Sequence, residues 1–419
     1  MVKLTDMTAR QVLDSRGNPT VEATVTLGKG IGSAIVPSGA STGIHEALEL
    51  RDGGNAFDGK GVTKAVHNVK LLAKKLAGKN FTTPQDFDEE LLKLDGTVNK
   101  AKYGENALLS MSMAFRRALA HKQGISLHEG LANEYGTKGT LLPMPFSNVI
   151  NGGVHAGNEL EMQEFMIVPT KAKSFSHATQ IVSETYHELK KTIAKKYGKN
   201  ATNVGDEGGF APPVKDARQA LNLLTKAIDN LGYNKELSFA MDPASSEFYN
   251  AKSKTYLTKK WSAEKLQAHY EDLIKTYPII SLEDPFEQDD FAAWQSISKS
   301  LRRRKLQIVG DDLTVTNPAR VELAIQKKLC DALLLKINQI GTITESMQAA
   351  RLAEEDKWNI MVSHRSGETE DPFIADLAVG MGSGQIKLGA PCRSDRVAKY
   401  NQLLRIEEAL GRKAKMSKW

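Results

Sequence analysis

Residues 306–341 constrain the fold of this chain more than any other stretch. Residues 306–309 form a short, mostly apolar run that stops at Asp311 and Asp312. A helix then opens at Asn317-Pro318. Asparagine caps a helix well, and proline loses nothing at the first helical position, where its missing N–H has no partner anyway. Val321, Ala324, Ile325 and Leu329 recur at helical spacing and give that helix one buried face. Residues 332–335 are wholly apolar and end at Lys336. Two successive buried strands thus each deliver a charged side chain at their carboxyl end, which is where a parallel barrel builds its chemistry.

The pattern repeats on both sides. Residues 238–241 end at Asp242, 279–282 at Glu283-Asp284, 359–362 at Ser363-His364-Arg365-Ser366, and 385–386 at Lys387. Between these runs lie roughly 20–40 residues, enough for a helix and two short loops. Six strand ends in register would bring acids, two lysines and a histidine–arginine pair to one mouth. Like charges buried together need a compensating ion, so the acids require a metal.

The N-terminal part reads differently. Residues 9–13, 19–26 and 33–36 are strands, the first two joined by a turn at 15–18, and residues 62–79, 84–94 and 105–123 are helices. Between them lies Pro37-Ser-Gly-Ala-Ser-Thr-Gly43, a loop of small residues without the Gly-Lys-Ser/Thr ending of a P-loop. A linker at 136–139 divides the chain into an α+β unit, 1–136, and a barrel unit, 137–419. The barrel begins at 144–149 and continues through a second small-residue loop, 151–158, to a strand at 162–169 that carries Glu164. A helix over 174–197 follows, and then Asp206-Glu207-Gly208-Gly209.

Composition narrows the class. The 419 residues suffice for one barrel and a smaller domain, and 41% hydrophobic residues is ordinary for a globular protein. No apolar run reaches a membrane span, and residues 1–10 lack the apolar core of a signal peptide. Two cysteines, Cys330 and Cys392, make no disulfide framework and fit a reducing cytoplasm. The net charge of +6 is spread; its sharpest cluster, Arg302-Arg303-Arg304, reads as a solvated helix end, so nucleic acid is not indicated.

Nine segments, in order along nearly the whole chain, resemble the enolase family. They are Asp14-Ser-Arg-Gly-Asn-Pro-Thr-Val-Glu22, the 37–43 loop, Gln163-Glu-Phe-Met-Ile167, Gly205-Asp-Glu-Gly-Gly-Phe-Ala-Pro212, Ser281-Leu-Glu-Asp-Pro-Phe286, Gly310-Asp-Asp-Leu-Thr-Val-Thr-Asn317, Leu335-Lys-Ile-Asn-Gln-Ile-Gly341, Ser363-His-Arg-Ser-Gly-Glu-Thr-Glu-Asp371, and Gly384-Gln-Ile-Lys387 running into Pro391-Cys-Arg-Ser394. The resemblance implies a small α+β domain before an eightfold β/α barrel whose first strands break strict alternation. It implies a hydro-lyase that reversibly dehydrates 2-phosphoglycerate to phosphoenolpyruvate. Asp242, Glu283 and Asp311 are the implied ligands of a first magnesium, and Ser41 of a second that arrives with substrate. Hard oxygen donors suit that ion. Enolase-superfamily sites, with a lysine or histidine base and one or two magnesium ions, are themselves a worked pattern of pKa tuning.

Lys336 is the implied general base. A free lysine is protonated at neutral pH; Lys387 and the metal should lower its pKa and the carboxylates should oppose them. Lys387 is implied to neutralise the substrate carboxylate. Glu207, supported by Glu164, is the implied acid for the leaving hydroxyl, and both should stay protonated. His155, His364 and Gln163 fall on the substrate side, and Arg365 with Ser366 on the phosphate. Pro243 after Asp242 and Leu388 after Lys387 depart from the usual family residues, with an expected stiffer backbone at the first and altered packing at the second. Family members are at least dimers, and Glu22 and Arg405 match an ion pair between subunits; an octamer is not readable. Two alternatives are another superfamily acid dehydratase or racemase, and a non-catalytic surface-binding role. The Ser41 loop, Glu207 and Arg365-Ser366 argue against the first, and the complete catalytic set against the second. Lys415, Lys418 and Trp419 read as a frayed tail.

Overall fold

A computed structural model describes residues 1–39, 43–153, 156–304 and 306–419. The chain starts with a three-stranded antiparallel sheet, β1 (Asp6–Leu13), β2 (Pro19–Leu27) and β3 (Gly30–Ile35), in the order β1-β2-β3. Helices α1 (Thr63–Leu76), α2 (Pro84–Asp95) and α3 (Glu105–Gln123) follow. The start of α2 is fixed by a capping box between Thr83 and Asp86 with Pro84 behind it, and its end by Gly96 in the left-handed conformation. Helix α3 lies so close to β3 that a Cβ added at Gly32 would sit 2.3 Å from the Ala118 nitrogen. Phe87 and Phe115 stack at 4.3 Å to join α2 to α3. Helix α4 (Leu127–Tyr135) closes this part and stops at Gly136 in the left-handed conformation.

Eight strands form the closed barrel: β4 (Met144–Asn151), β5 (Glu164–Val168), β6 (Ser238–Asp242), β7 (Ile279–Glu283), β8 (Gln307–Gly310), β9 (Ala332–Leu335), β10 (Asn359–Ser363) and β11 (Gly384–Lys387). Strand β5 runs antiparallel to both neighbours, and every other pair is parallel. Helices α5 (Phe175–Tyr197) and α6 (Ala217–Leu231) both follow β5; from β6 onward one main helix follows each strand: α7 (Ala263–Thr276), α8 (Phe291–Leu301), α9 (Pro318–Lys327), α10 (Ile343–Glu355), α11 (Phe373–Met381) and α12 (Ser394–Leu410). The expected break in alternation is therefore present.

Side chains alternate across a strand, so inward positions recur every second residue. Met144, Phe146, Met166, Val168, Ala240, Val309, Ala332, Leu334 and Met361 fill the barrel interior. Below them Gln307 exchanges amide hydrogen bonds with Gln385 (3.0 and 2.9 Å), donates to Ser281 (3.2 Å) and accepts from Asn359 (2.7 Å), closing the floor. The tail expected to fray is ordered instead. Lys415–Met416 pairs with Leu141–Leu142, and the Trp419 ring packs 5.9 Å from Phe146.

The two parts are joined by buried charge. Asp88 accepts from Arg116 at 2.9 Å, from Ser112 at 2.9 Å and from Thr344 of α10 at 2.6 Å. Arg117 of α3 pairs with Asp371, just before α11, through two bonds of 2.6 and 2.5 Å. Among the described residues no helix is long and apolar enough to cross a membrane.

Candidate active site

The alternation that packs the interior also supplies the mouth. Asp242 lies two residues beyond Ala240, Asp311 two beyond Val309, Lys336 two beyond Leu334 and Lys387 two beyond Gln385, so all four continue the inward row past the last apolar layer. Glu164 arrives from the other direction: β5 is reversed, so its first residue, not its last, stands at the mouth, opposite Asp242. A narrow cleft lies there, lined by Gln163, Glu164, Glu207, Asp311, Lys336, His364, Arg365, Ser366 and Lys387 among others. Ser41 and His155 lie outside the described residues.

Lys387 is the centre of charge. Its Nζ lies 2.8 Å from Glu283, 3.0 Å from Asp242 and 3.1 Å from Glu164, all buried. Burial would lower the ammonium's pKa, but the three carboxylates push it well above the ordinary lysine value. Glu164 and Glu283 move up as well, first through burial and then through their acidic neighbours, Glu207 for Glu164 and Asp242 for Glu283. The expectation that Glu164 stays protonated agrees with this direction.

Lys336 pairs with Asp311, whose other oxygen accepts from Gln339 at 2.8 Å. Burial would lower the Lys336 pKa, yet the carboxylates around it, Asp311 first and then Glu283, together hold the group above its ordinary value. In this structure the carboxylates win the competition that the sequence left open. Burial would raise the Asp311 pKa, but Lys336, Lys387 and Arg365 together hold it low.

Glu207 accepts from the Asn148 amide at 2.8 Å and faces His364 Nε2 at 3.6 Å. Burial pushes the His364 pKa well down, against Glu207 and with Arg396. Arg365 pairs with Glu46 at 3.0 and 3.2 Å and donates to Asn338 at 3.0 Å. The backbones of Ser38 and Gly367 exchange hydrogen bonds of 2.7 and 2.8 Å, which ties the 37–39 segment to the loop bearing Arg365.

The donor set fits a hard divalent cation. Asp242 and Glu283 share Lys387 while Asp311 pairs with Lys336, and among the described residues the second oxygens of Glu283 and Glu164 are buried without a hydrogen-bond partner. The acids whose oxygens lie within 4.8 Å of one another among the described residues are a different set, Asp284, Asp311 and Asp312. Asp284 is the weaker ligand of the two sets, since both its oxygens already accept backbone N–H groups, of Asp311 at 2.9 Å and Asp312 at 2.8 Å. It acts as a clamp that sets the loop after β8. Pro243 leaves Asp242 in a tight turn, with its Oδ1 accepting from the Ala244 N–H at 2.8 Å. Leu388 is fully buried in the core, so the departure there is one of packing.

Sequence reasoning missed Asn148, Glu46 and Arg396, and placed Asp284 at a strand end without giving it a role. Asn148 was accessible to it, being two residues beyond inward-facing Phe146. Glu46 and Arg396 act through partners distant in sequence, for which the residues carry no local signal.

Residues 139–418 match the family model described as enolase, C-terminal TIM barrel domain, and residues 4–131 the one described as enolase, N-terminal domain. The chain is similar to Enolase 1 of Entamoeba histolytica, 54% identical over 417 residues covering 96% of this chain and 95% of that protein. It is equally similar to an enolase of Thermococcus gammatolerans, 54% identical over 413 residues covering 97% of this chain and 95% of that protein.

Proposed function

The chain belongs to the enolase family, a hydro-lyase that interconverts 2-phospho-D-glycerate and phosphoenolpyruvate, and from that premise we propose the roles its own residues take in the reaction. The observation that carries the reading is a pair of lysines in one cleft, buried Lys387 and half-buried Lys336, each held against carboxylates, with Glu207 and Arg365 lining the same cleft. The difficult step is removal of the proton at C2, beside a carboxylate that is already negative. The site must therefore supply positive charge where negative charge grows.

Lys336 takes the C2 proton as the neutral amine, so it must first give up its own proton to solvent and its pairing with Asp311. Lys387 neutralises the substrate carboxylate. Glu207 gives its proton to the C3 hydroxyl as the C3–O bond breaks, and water leaves. Glu164, beside it, supports the acid from the same side of the cleft. Arg365 and Ser366 bind the phosphate, with His155, His364 and Gln163 around the substrate. The family implies a divalent metal; we propose magnesium, two per site, held by Asp242, Glu283 and Asp311 and by Ser41. When bound it supplies positive charge to the substrate carboxylate and phosphate. Chelation should abolish activity and magnesium should restore it.

The reading is tested by following the ultraviolet absorbance of the enol product for wild type and Lys336→Ala, with and without magnesium. Loss of roughly 10²–10⁴-fold in kcat in the mutant is the expected result. A folded Lys336→Ala with wild-type turnover would sink the assignment of the base.

We also propose two units, 1–136 and 137–419, a cytoplasmic location, and a homodimer joined by Glu22 and Arg405. In the single chain Glu22 faces Arg10 at 3.3 Å, so a subunit contact would have to compete with that pair. Glu22→Arg should move the sedimentation profile toward monomer, and an unchanged profile would remove the contact.

A further inference from the structure

Arg396 takes no part in the chemistry described above, yet its side chain is completely buried at the edge of the cleft. Nη1 donates to His364 Nδ1 at 2.6 Å and to the Arg365 carbonyl. Nη2 donates to the carbonyls of Ser366 at 2.6 Å and Asp206 at 3.1 Å, and Nε faces the Asp395 carboxylate at 2.9 Å. The packing leaves no slack. Gly389 has φ +77°, and a Cβ there would stand 3.0 Å from Arg396 Cδ, 3.0 Å from His364 Cε1 and 2.8 Å from the Glu207 carbonyl.

A guanidinium has five N–H donors and no acceptor. His364 Nδ1 therefore accepts, and a neutral ring must carry its one proton on Nε2. That nitrogen faces Glu207 Oε1 at 3.6 Å. We propose that Arg396 is a positioning residue for the acid step, locking His364 in the Nε2–H tautomer so that the ring offers Glu207 a donor and never a proton acceptor.

The consequence is directional. With its proton on Nδ1, the ring would turn a lone pair at Nε2 toward the Glu207 carboxyl and compete for the proton that the leaving hydroxyl needs. With its proton on Nε2, it closes that route. As the C3–O bond breaks and the proton passes from Glu207 to the departing hydroxyl, the carboxylate left behind meets an N–H. The neutral state of the ring agrees with burial and the nearby guanidinium, both of which disfavour the imidazolium. By holding the carbonyls of Asp206, Arg365 and Ser366, the same side chain also fixes the acid's loop relative to the phosphate loop.

The inference rests on the reading of Glu207 as the acid, and the test separates the two. Nitrogen-15 NMR of the wild-type protein labelled at histidine, with His364 assigned by its loss in His364→Gln, reads the tautomer directly. An Nε2–H signature through the active pH range is expected; an Nδ1–H or imidazolium signature overturns the proposal and needs no mutant to fold. Arg396→Lys keeps the charge but not the fork. Its kcat should fall on the order of 10²-fold with KM little changed, and the alkaline limb of the kcat–pH profile, where Glu207 loses its proton, should move upward. Added guanidinium should partly restore Arg396→Ala. A folded Arg396→Lys with wild-type kcat and pH profile also overturns the proposal. Retained activity in Glu207→Gln would instead remove the acid assignment and leave the tautomer standing.

Discussion

The floor and the mouth of the barrel are built from the same inward rows and solve opposite problems. At the floor, Gln307, Gln385, Asn359 and Ser281 are neutral and satisfy one another within 3.2 Å. At the mouth, one ammonium faces three carboxylates, and buried oxygens of Glu164, Glu283 and Gln163 have no partner among the described residues. A satisfied polar network rigidifies a core, whereas an unsatisfied one is costly to keep. The contrast teaches where stability and function separate: the floor turns its polar groups on one another, and the mouth gathers charged groups around a cleft.

The largest expected effect is that of Lys387→Ala, which leaves three buried carboxylates without their shared cation. In chelator, denaturant unfolding should show a loss of about 3–5 kcal/mol, and kcat should fall about 10²–10³-fold. Magnesium should narrow the stability gap without restoring turnover. An unchanged unfolding midpoint in chelator would mean that the mouth is less strained than its contacts indicate.

The joint between the two parts of the chain gives a pH test of the same contrast. Burial alone would raise the Asp371 pKa, but Arg117 and the N–H groups of Ile35 and Phe373 hold it below 3.8. Its stabilisation is thus fully present above that ordinary value and is lost as pH falls through the lower folded one. Glu164 has the opposite sign: its folded pKa is raised, so the metal-free fold weakens as pH climbs above the ordinary glutamate range. Asp371→Asn should cost about 3 kcal/mol at neutral pH and flatten the acid limb of a stability–pH curve. A mutant curve parallel to wild type would count against the assignment. The smallest effect belongs to the floor. Gln307→Leu should cost about 1–3 kcal/mol through the amides it orphans, with kcat unchanged; a fall in kcat would show that floor and mouth are coupled.

What the residues disclosed follows from the range over which their signals act. Strand ends such as Asp242, Asp311, Lys336 and Lys387 were legible because a period of two and an apolar run are local properties. The reversal of β5 was not; residues 164–168 read equally well in either direction, and only the family resemblance implied a break there. Arg396 and Glu46 were invisible for a different reason. Arg396 serves His364 from 32 residues away and Glu46 serves Arg365 from 319, and no spacing rule spans such distances. The tail was misread because its anchor, Phe146, lies at the opposite end of the barrel unit in sequence.

The seam between β11 and β4 pairs Lys387 with Phe146, Ile386 with Pro145 and Gln385 with Met144. Those partners are the most widely separated in sequence of any in the barrel, and pairings of that kind form late because the intervening chain must close first. Lys387 is both the last link of the ring and the cation on which the site centres. During synthesis, a nascent chain that has not yet emitted residue 387 has neither a closed ring nor a charge-balanced cleft. Catalytic competence is in this way a certificate of completed folding.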